Sequence, residues 1–427
     1  MSDRKKMKIA LFNVYGHHNS GDAMLMLALL SMLKKTFPNA TIEGIAFDPI
    51  SERKWMPEIV WHERICNAVS KTIFGRIRQS ITLVLALFAT KLNIVHKLSS
   101  ILPELQHTAI QCLQSCDLAI SVPGGYLEDS NSSYILNLLQ MRIARALCPY
   151  VLLAPQSIGP VRSKLGRRLL RKTLLSMDRI FVREHSSYAF VAELFGERNK
   201  AALEAVSSSG DLAFWFEGDE PSEIEIAASL QRLDAGPPHK ILGCTLVNWN
   251  FPHLANAEAA RNNYIEAFCI LVDHAAQNYG YKVVIFNQVD GDLPISRRLK
   301  QLRPSVIVDD EERSTALLAK LIGKSDIFIG TRFHSCVFAL NSGVPTCVIS
   351  YLPKSDGIMH DLGLSEHVID INKVTGKDLI AHLDYLATDR AGQSKRFEAA
   401  VERYRREHNR FISFLDQLRD ERFNHHQ

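Results

Sequence analysis

Short runs rich in Val, Ile, Leu and Phe alternate along the chain with longer segments whose apolar residues recur every three or four positions. That alternation is the signature of parallel strands joined by crossover helices. In the first half the pattern predicts strands at residues 8–14, 41–47, 117–122, 150–155 and 179–183, with a last one near 212–216. The second half repeats the theme at 240–247, 282–287, 306–308, 326–330 and 346–350, with helices at 262–278 and 314–324 between strands. From 393 to 422 the charges follow a helical rhythm, and Phe397, Val401, Tyr404, Phe411 and Phe414 form an apolar stripe, which predicts a long final helix.

The fold class is therefore α/β, with two Rossmann-like doubly wound domains facing across a cleft and a long C-terminal helix. Acidic, Pro- and Gly-rich stretches at 217–223 and 234–240 read as a linker. They place an N-terminal domain at 1–225, a C-terminal domain at 226–390 and the helix at 391–427, with an apolar insert at 71–107.

Composition narrows the classes. A chain of 427 residues needs more than one core. With 46% hydrophobic and 22% charged residues it has the make-up of a water-soluble globular protein. Lys and Arg (50) exceed Asp and Glu (46) by four, too mild an excess for a nucleic-acid partner. The eight cysteines form no CxxC pair, which argues against a zinc ribbon or a disulfide framework and for a reducing compartment. Only residues 9–12 form an apolar run near the start, too short for a signal peptide. The apolar run at 81–90 is about half of the roughly 20 residues that a bilayer crossing needs. A cytoplasmic protein is expected, peripheral at the inner face of the membrane if the 71–107 insert lies in the interface.

Ligands of such sheets bind beyond the carboxyl ends of the strands, so the informative residues should follow strands. Asn13-Val-Tyr-Gly-His-His-Asn-Ser-Gly-Asp22 joins a strand to a helix whose free N–H groups suit an anion or a hydroxyl-rich ligand; a capped loop would explain Asp22 equally well. Pro123-Gly-Gly-Tyr-Leu-Glu-Asp129 offers close backbone approach at Gly125 and sugar-type hydrogen bonds from Tyr126, or simply a glycine turn. Ala154-Pro-Gln-Ser-Ile-Gly-Pro160 presents Gln156. Arg183 and Glu184 follow another strand; the planar fork of Arg183 suits phosphate or carboxylate, and a local Arg–Glu pair is the commoner fate. The fifth segment, Ile329-Gly-Thr-Arg-Phe-His-Ser-Cys-Val-Phe-Ala-Leu-Asn-Ser-Gly-Val-Pro345, brings Arg332 and His334 out of a buried-type strand, with Lys354 downstream. A histidine there is a general acid or base beside an anion site.

Taken in order, Asn19-Ser-Gly-Asp22, Pro123-Gly-Gly125, Gln156-Ser-Ile-Gly159, Arg183-Glu-His-Ser186, Gly210-Asp211 and Thr331-Arg-Phe-His334 through Gly343-Val-Pro345 resemble the polysaccharide pyruvyl transferase family. The resemblance spans residues 8–364 and leaves the insert and the final helix outside. It implies a GT-B-like pair of domains and transfer of the enolpyruvyl group of phosphoenolpyruvate onto two sugar hydroxyls as a ketal, in exopolysaccharide biosynthesis. On that resemblance His334 is the proton donor, Arg183 and Lys354 bind the donor's anionic groups, and Arg332 either joins them or orients the loop. Asn19, Asp22, Gly125, Tyr126 and Gln156 would line the acceptor, a sugar or lipid-linked oligosaccharide, with Asp22 or Glu184 as base. Neither a metal nor a cofactor is implied. A nucleotide-sugar glycosyltransferase and a non-catalytic assembly protein are the alternatives, and fold alone does not separate them.

Overall fold

A computed structural model of the chain describes residues 6–15, 20–65, 73–92, 94–95, 97, 106–129, 131–218, 220–252 and 254–423. They form two compact units: Met1–His17, Leu25–Leu212 and His408–Gln427 in the first, His18–Met24 and Ala213–Glu407 in the second. Each has its own sheet, all of whose strand pairs are parallel.

The first sheet comprises β1 (Lys8–Val14), β2 (Thr41–Ala46), β3 (Val60–Glu63), β4 (Leu118–Ser121), β5 (Gly124–Leu127), β6 (Val151–Ile158), β7 (Arg179–Val182) and β8 (Val206–Ser208). Their order is β3-β2-β1-β4-β6-β7-β8, with β5 paired to β6. The second comprises β9 (Lys240–Thr245), β10 (Tyr281–Phe286), β11 (Ile307–Asp309), β12 (Ile327–Gly330), β13 (Thr346–Ser350) and β14 (Val368–Asp370), in the order β11-β10-β9-β12-β13-β14. Both are doubly wound, and the strand order reverses between β1 and β4 and between β9 and β12. Those reversals open the crevices in which such sheets hold ligands. The central strands β4, β12 and β13 are buried along their whole length, which is why they read as unbroken apolar runs.

One side-chain device recurs three times. The aspartate just before a strand accepts an N–H from the first or second residue of the strand beside it: Asp117 from Lys8, Asp178 from Val151 and Asp326 from Ile241, each at 2.8 Å. The carboxylate thus aligns β4 with β1, β7 with β6, and β12 with β9.

The structure differs from the sequence expectations in several places. The units divide at Leu212 and Ala213 rather than near 225. Residues 212–216 are not a strand: Leu212–Trp215 is a 3-10 turn whose Leu212, Ala213 and Phe214 are buried, and a short buried apolar run has no period by which to tell the two apart. The long final helix is present as Arg390–Glu407 but ends short of the expected span, and a second helix, Arg410–Leu418, follows where the Ser209 hydroxyl donates to the His408 carbonyl (3.2 Å) and accepts the Phe411 N–H (2.9 Å). Of its stripe, Phe397, Val401, Tyr404 and Phe411 are buried and Phe414 is half-buried. In the first unit, the Phe411 and Phe414 rings lie 5.0 and 5.2 Å from that of Phe181.

Candidate functional site

In the second unit the crevice between β9 and β12 is built from the strand ends outward. A Cβ on Gly330, the last residue of β12, would meet Cys336 Sγ at 2.7 Å and Thr245 Oγ1 at 2.9 Å, so the chain can pass here only as glycine. The N–H groups of Thr331 and Arg332 then donate to the Thr245 carbonyl and hydroxyl at 3.0 and 3.2 Å, and the Thr331 hydroxyl shares a 2.6 Å hydrogen bond with Tyr264. This bracing sets the direction in which the next helix, Phe333–Asn341, begins.

Arg332 occupies the N-cap of that helix, and its guanidinium grips Asp292 with two hydrogen bonds, 2.6 and 2.9 Å, while a third reaches the Tyr351 hydroxyl at 3.4 Å. Burial works against the Arg332 charge, but Asp292 and Tyr351 together outweigh it and hold the guanidinium pKa above its ordinary value. Asp292 also accepts the Asn248 N–H at 2.9 Å. Tyr351, whose phenol burial pushes up, packs edge-on to Trp249 at 5.0 Å. Arg332 is thereby fixed as a strut of the loop.

His334, two residues on, is 9% exposed in the first helical turn. Its ring lies against Gly21: a Cβ there would fall 2.1 Å from Nδ1. Gly21 belongs to the segment that clusters with the second unit and opens the helix Ser20–Thr36, whose first turn carries Asp22. Asp22 and Tyr351 are close enough to interact electrostatically.

The neighbouring strand repeats the plan. β13 pairs in register with β12 and runs into the helix Pro353–Asp361, where Lys354, half-buried, holds the position that His334 holds in its own helix. Neither helix start carries a side-chain cap. In both, the third residue is a serine, Ser335 and Ser355, fully buried, its hydroxyl without a hydrogen-bond partner among the described residues. Two adjacent helix starts thus offer N–H groups, hydroxyls and one ammonium, a setting for an anion with a proton donor beside it.

The first unit gathers the other motifs into a buried polar cluster after β6 and β7. Arg183, 1% exposed, donates to Ser157 Oγ at 2.7 Å and Asp211 at 3.0 Å, and lies 3.3 Å from Glu184. Glu184 also accepts from Ser157 (3.0 Å) and Ser187. Gly125 is exposed, and a Cβ on it would come within 3.3 Å of Arg183 Nη2. Gln156 Nε2 donates to the Val122 carbonyl at 2.6 Å, leaving Oε1 without a partner among the described residues. Tyr126 is 5% exposed: its hydroxyl lies 2.6 Å from the Val122 carbonyl and 2.9 Å from Ser121 Oγ, and burial raises its pKa. It buttresses the turn from within. Asn19 lies outside the described residues.

Sequence reasoning missed Asp292, Tyr351, Ser335 and Ser355. The serines stand beside residues it did select, and the matching β12 and β13 segments carried the signal. Among the described residues one group, Glu43, His62 and Cys112, brings a carboxylate, an imidazole and a thiol within 4.8 Å of one another on β2, β3 and the helix His107–Ser115. His62 and Glu43 already satisfy each other at 2.8 Å, and burial, with Glu43, pushes the thiol pKa up.

Compared with known proteins, residues 19–353 match the family model described as polysaccharide pyruvyl transferase. The amylovoran biosynthesis protein AmsJ of Erwinia amylovora is 22% identical over 428 aligned positions, covering 93% of this chain and 96% of that one. HepE from Anabaena, solved with UDP and glucose, has a TM-score of 0.55 at 13% identity, covering 98% of this chain and 100% of that one. MnaA of S. aureus, solved with UDP, has a TM-score of 0.55 at 12% identity, covering 95% and 97%. At these identities the likeness to the two solved structures is one of fold.

Proposed function

The chain belongs to the polysaccharide pyruvyl transferase family, transferases acting on polysaccharide, and on that premise we propose that it moves the enolpyruvyl group of phosphoenolpyruvate onto two hydroxyls of one sugar, closing a pyruvate ketal and releasing phosphate. The observation that carries the reading is the pairing of His334 and Lys354 at matching positions of two adjacent helix starts that lack side-chain caps. Phosphoenolpyruvate is a small polyanion whose reaction begins by protonation of carbon, and that site combines anion donors with a proton donor.

His334, as imidazolium, gives its proton to the methylene carbon. The adjoining carbon becomes an oxocarbenium-like electrophile, and the first sugar hydroxyl adds to it while Asp22 takes the hydroxyl proton. Lys354 and the N–H groups of the two helices hold the donor's carboxylate and phosphate. The bond to the phosphate oxygen then breaks, phosphate leaves with the proton held by Asp22, and the second hydroxyl closes the ketal, its proton returning to His334. Arg332 positions the His334 helix through Asp292 and Tyr351. Arg183 and Glu184 organise the first unit's cluster, where Ser157 and Ser187 engage both Glu184 oxygens.

Calorimetric titration with phosphoenolpyruvate, inorganic phosphate and a panel of nucleotide sugars tests the reading. Selective binding of phosphoenolpyruvate, weakened in Lys354→Ala, is expected. His334→Gln should lose transfer by roughly 10²–10⁴-fold while keeping donor affinity. Binding of a nucleotide sugar alone would sink pyruvyl transfer in favour of glycosyl transfer.

A further inference from the structure

The helix Ile73–Lys91 of the first unit is built inside out. Against the protein, where it packs on the helix Tyr134–Leu147, it buries small residues: Thr82, Ala86 and Ala89 are at most 4% exposed. Toward solvent it presents large apolar ones, with Phe74 81% exposed, Ile77 54%, Ile81 55%, Val84 49%, Leu85 46% and Phe88 60%. These positions recur every three or four residues and form one stripe along the helix. A surface helix normally does the reverse, and an apolar patch this continuous marks something the protein rests on.

Charge selects the occupant. Residues 66–103 contain five Lys and Arg and no Asp or Glu. A second copy of the same face would bring like charges together, whereas an anionic bilayer supplies the complement and receives the stripe. At 1.5 Å per residue, 19 residues make a rod of about 28 Å, and no helix among the described residues is long and apolar enough to cross a membrane. Lying in the interface, with its apolar side in the acyl boundary and its cations at the headgroups, fits both facts. We propose that this helix is a membrane-docking face that seats the protein on anionic lipid bilayers.

Flotation of the purified full chain with vesicles tests it, since binding requires no turnover and is independent of the transfer reaction. The wild-type chain is expected to float with phosphatidylglycerol/phosphatidylethanolamine vesicles, far less with pure phosphatidylcholine, and less as salt is raised. The triple variant Phe74→Ser/Ile81→Ser/Phe88→Ser, changed only at side chains more than half exposed, should lose at least roughly tenfold in bound fraction while circular dichroism shows an intact fold. Failure of the wild-type chain to float with the anionic vesicles overturns the proposal, as does unchanged flotation of an intact triple variant. Light scattering without lipid supplies the other arm: a wild-type dimer that the triple variant disperses would make the face a contact between copies instead.

Discussion

A methyl group at residue 21 would sit 2.1 Å from His334 Nδ1 and 2.8 Å from Cγ, both inside contact distance. Gly21→Ala must therefore displace the imidazole, and turnover should fall roughly 10–100-fold with the circular dichroism spectrum retained, a loss that steady-state kinetics will register. His367 gives a different expectation. Burial among Phe397 and Tyr385 holds its pKa at about 4, against the ordinary 6.5. The unfolded chain takes up a proton near pH 6.5 that the folded chain refuses until about pH 4, so stability is complete above 6.5 and declines as pH falls through that window. The decline should reach about 3 kcal/mol in urea titrations, and His367→Phe should remove most of it. At this scale the sequence disclosed those residues whose chemistry is visible alone: His334, Lys354 and Arg332 each follow a strand. It did not disclose Asp292, whose partner Arg332 is 40 positions away, nor the reason residue 21 is glycine, which lies in a contact more than 300 positions along the chain.

Strands and helices were legible in proportion to their length and burial. β1, β6, β9 and β10, with six to eight residues each, announced themselves, whereas β3, β8 and β14, with three or four, carry too few positions for a period and lack the unbroken run of three Val, Ile or Phe residues that marks the equally short β7, β11 and β12. β5 was hidden by its paired glycines, which suit a turn as readily as the pairing of Gly124 with Gln156 that occurs. The strand-leading aspartates are an element-level device that the sequence does carry, as Cys-Asp, Met-Asp and Ser-Asp before three apolar runs. Asp326→Ala should lower the urea midpoint by an amount equivalent to about 1 kcal/mol, while Asp326→Asn, which keeps an acceptor for the Ile241 N–H, should retain most of it. Asp292→Ala frees Arg332 from its two hydrogen bonds. It should reduce kcat by roughly tenfold or more with a smaller change in phosphoenolpyruvate affinity, separable by kinetics and calorimetry.

For the molecule as a whole, two doubly wound units followed directly from the repeated alternation of short and long apolar segments. The assignment of the tail did not, because it depends on what the last residues meet rather than on their own pattern. Phe411, Leu415 and Leu418 are buried, and Phe411 sits edge-on to Phe181 in the first unit. Phe411→Ala should cost about 3–5 kcal/mol, seen as an earlier unfolding transition. Contacts of this kind also bear on synthesis at the ribosome. The strand that holds Phe181 is made long before its aromatic partners Phe411 and Phe414, which follow the whole of the second unit. The nascent first sheet must wait with that patch bare, open to chaperones, until the second unit has been made.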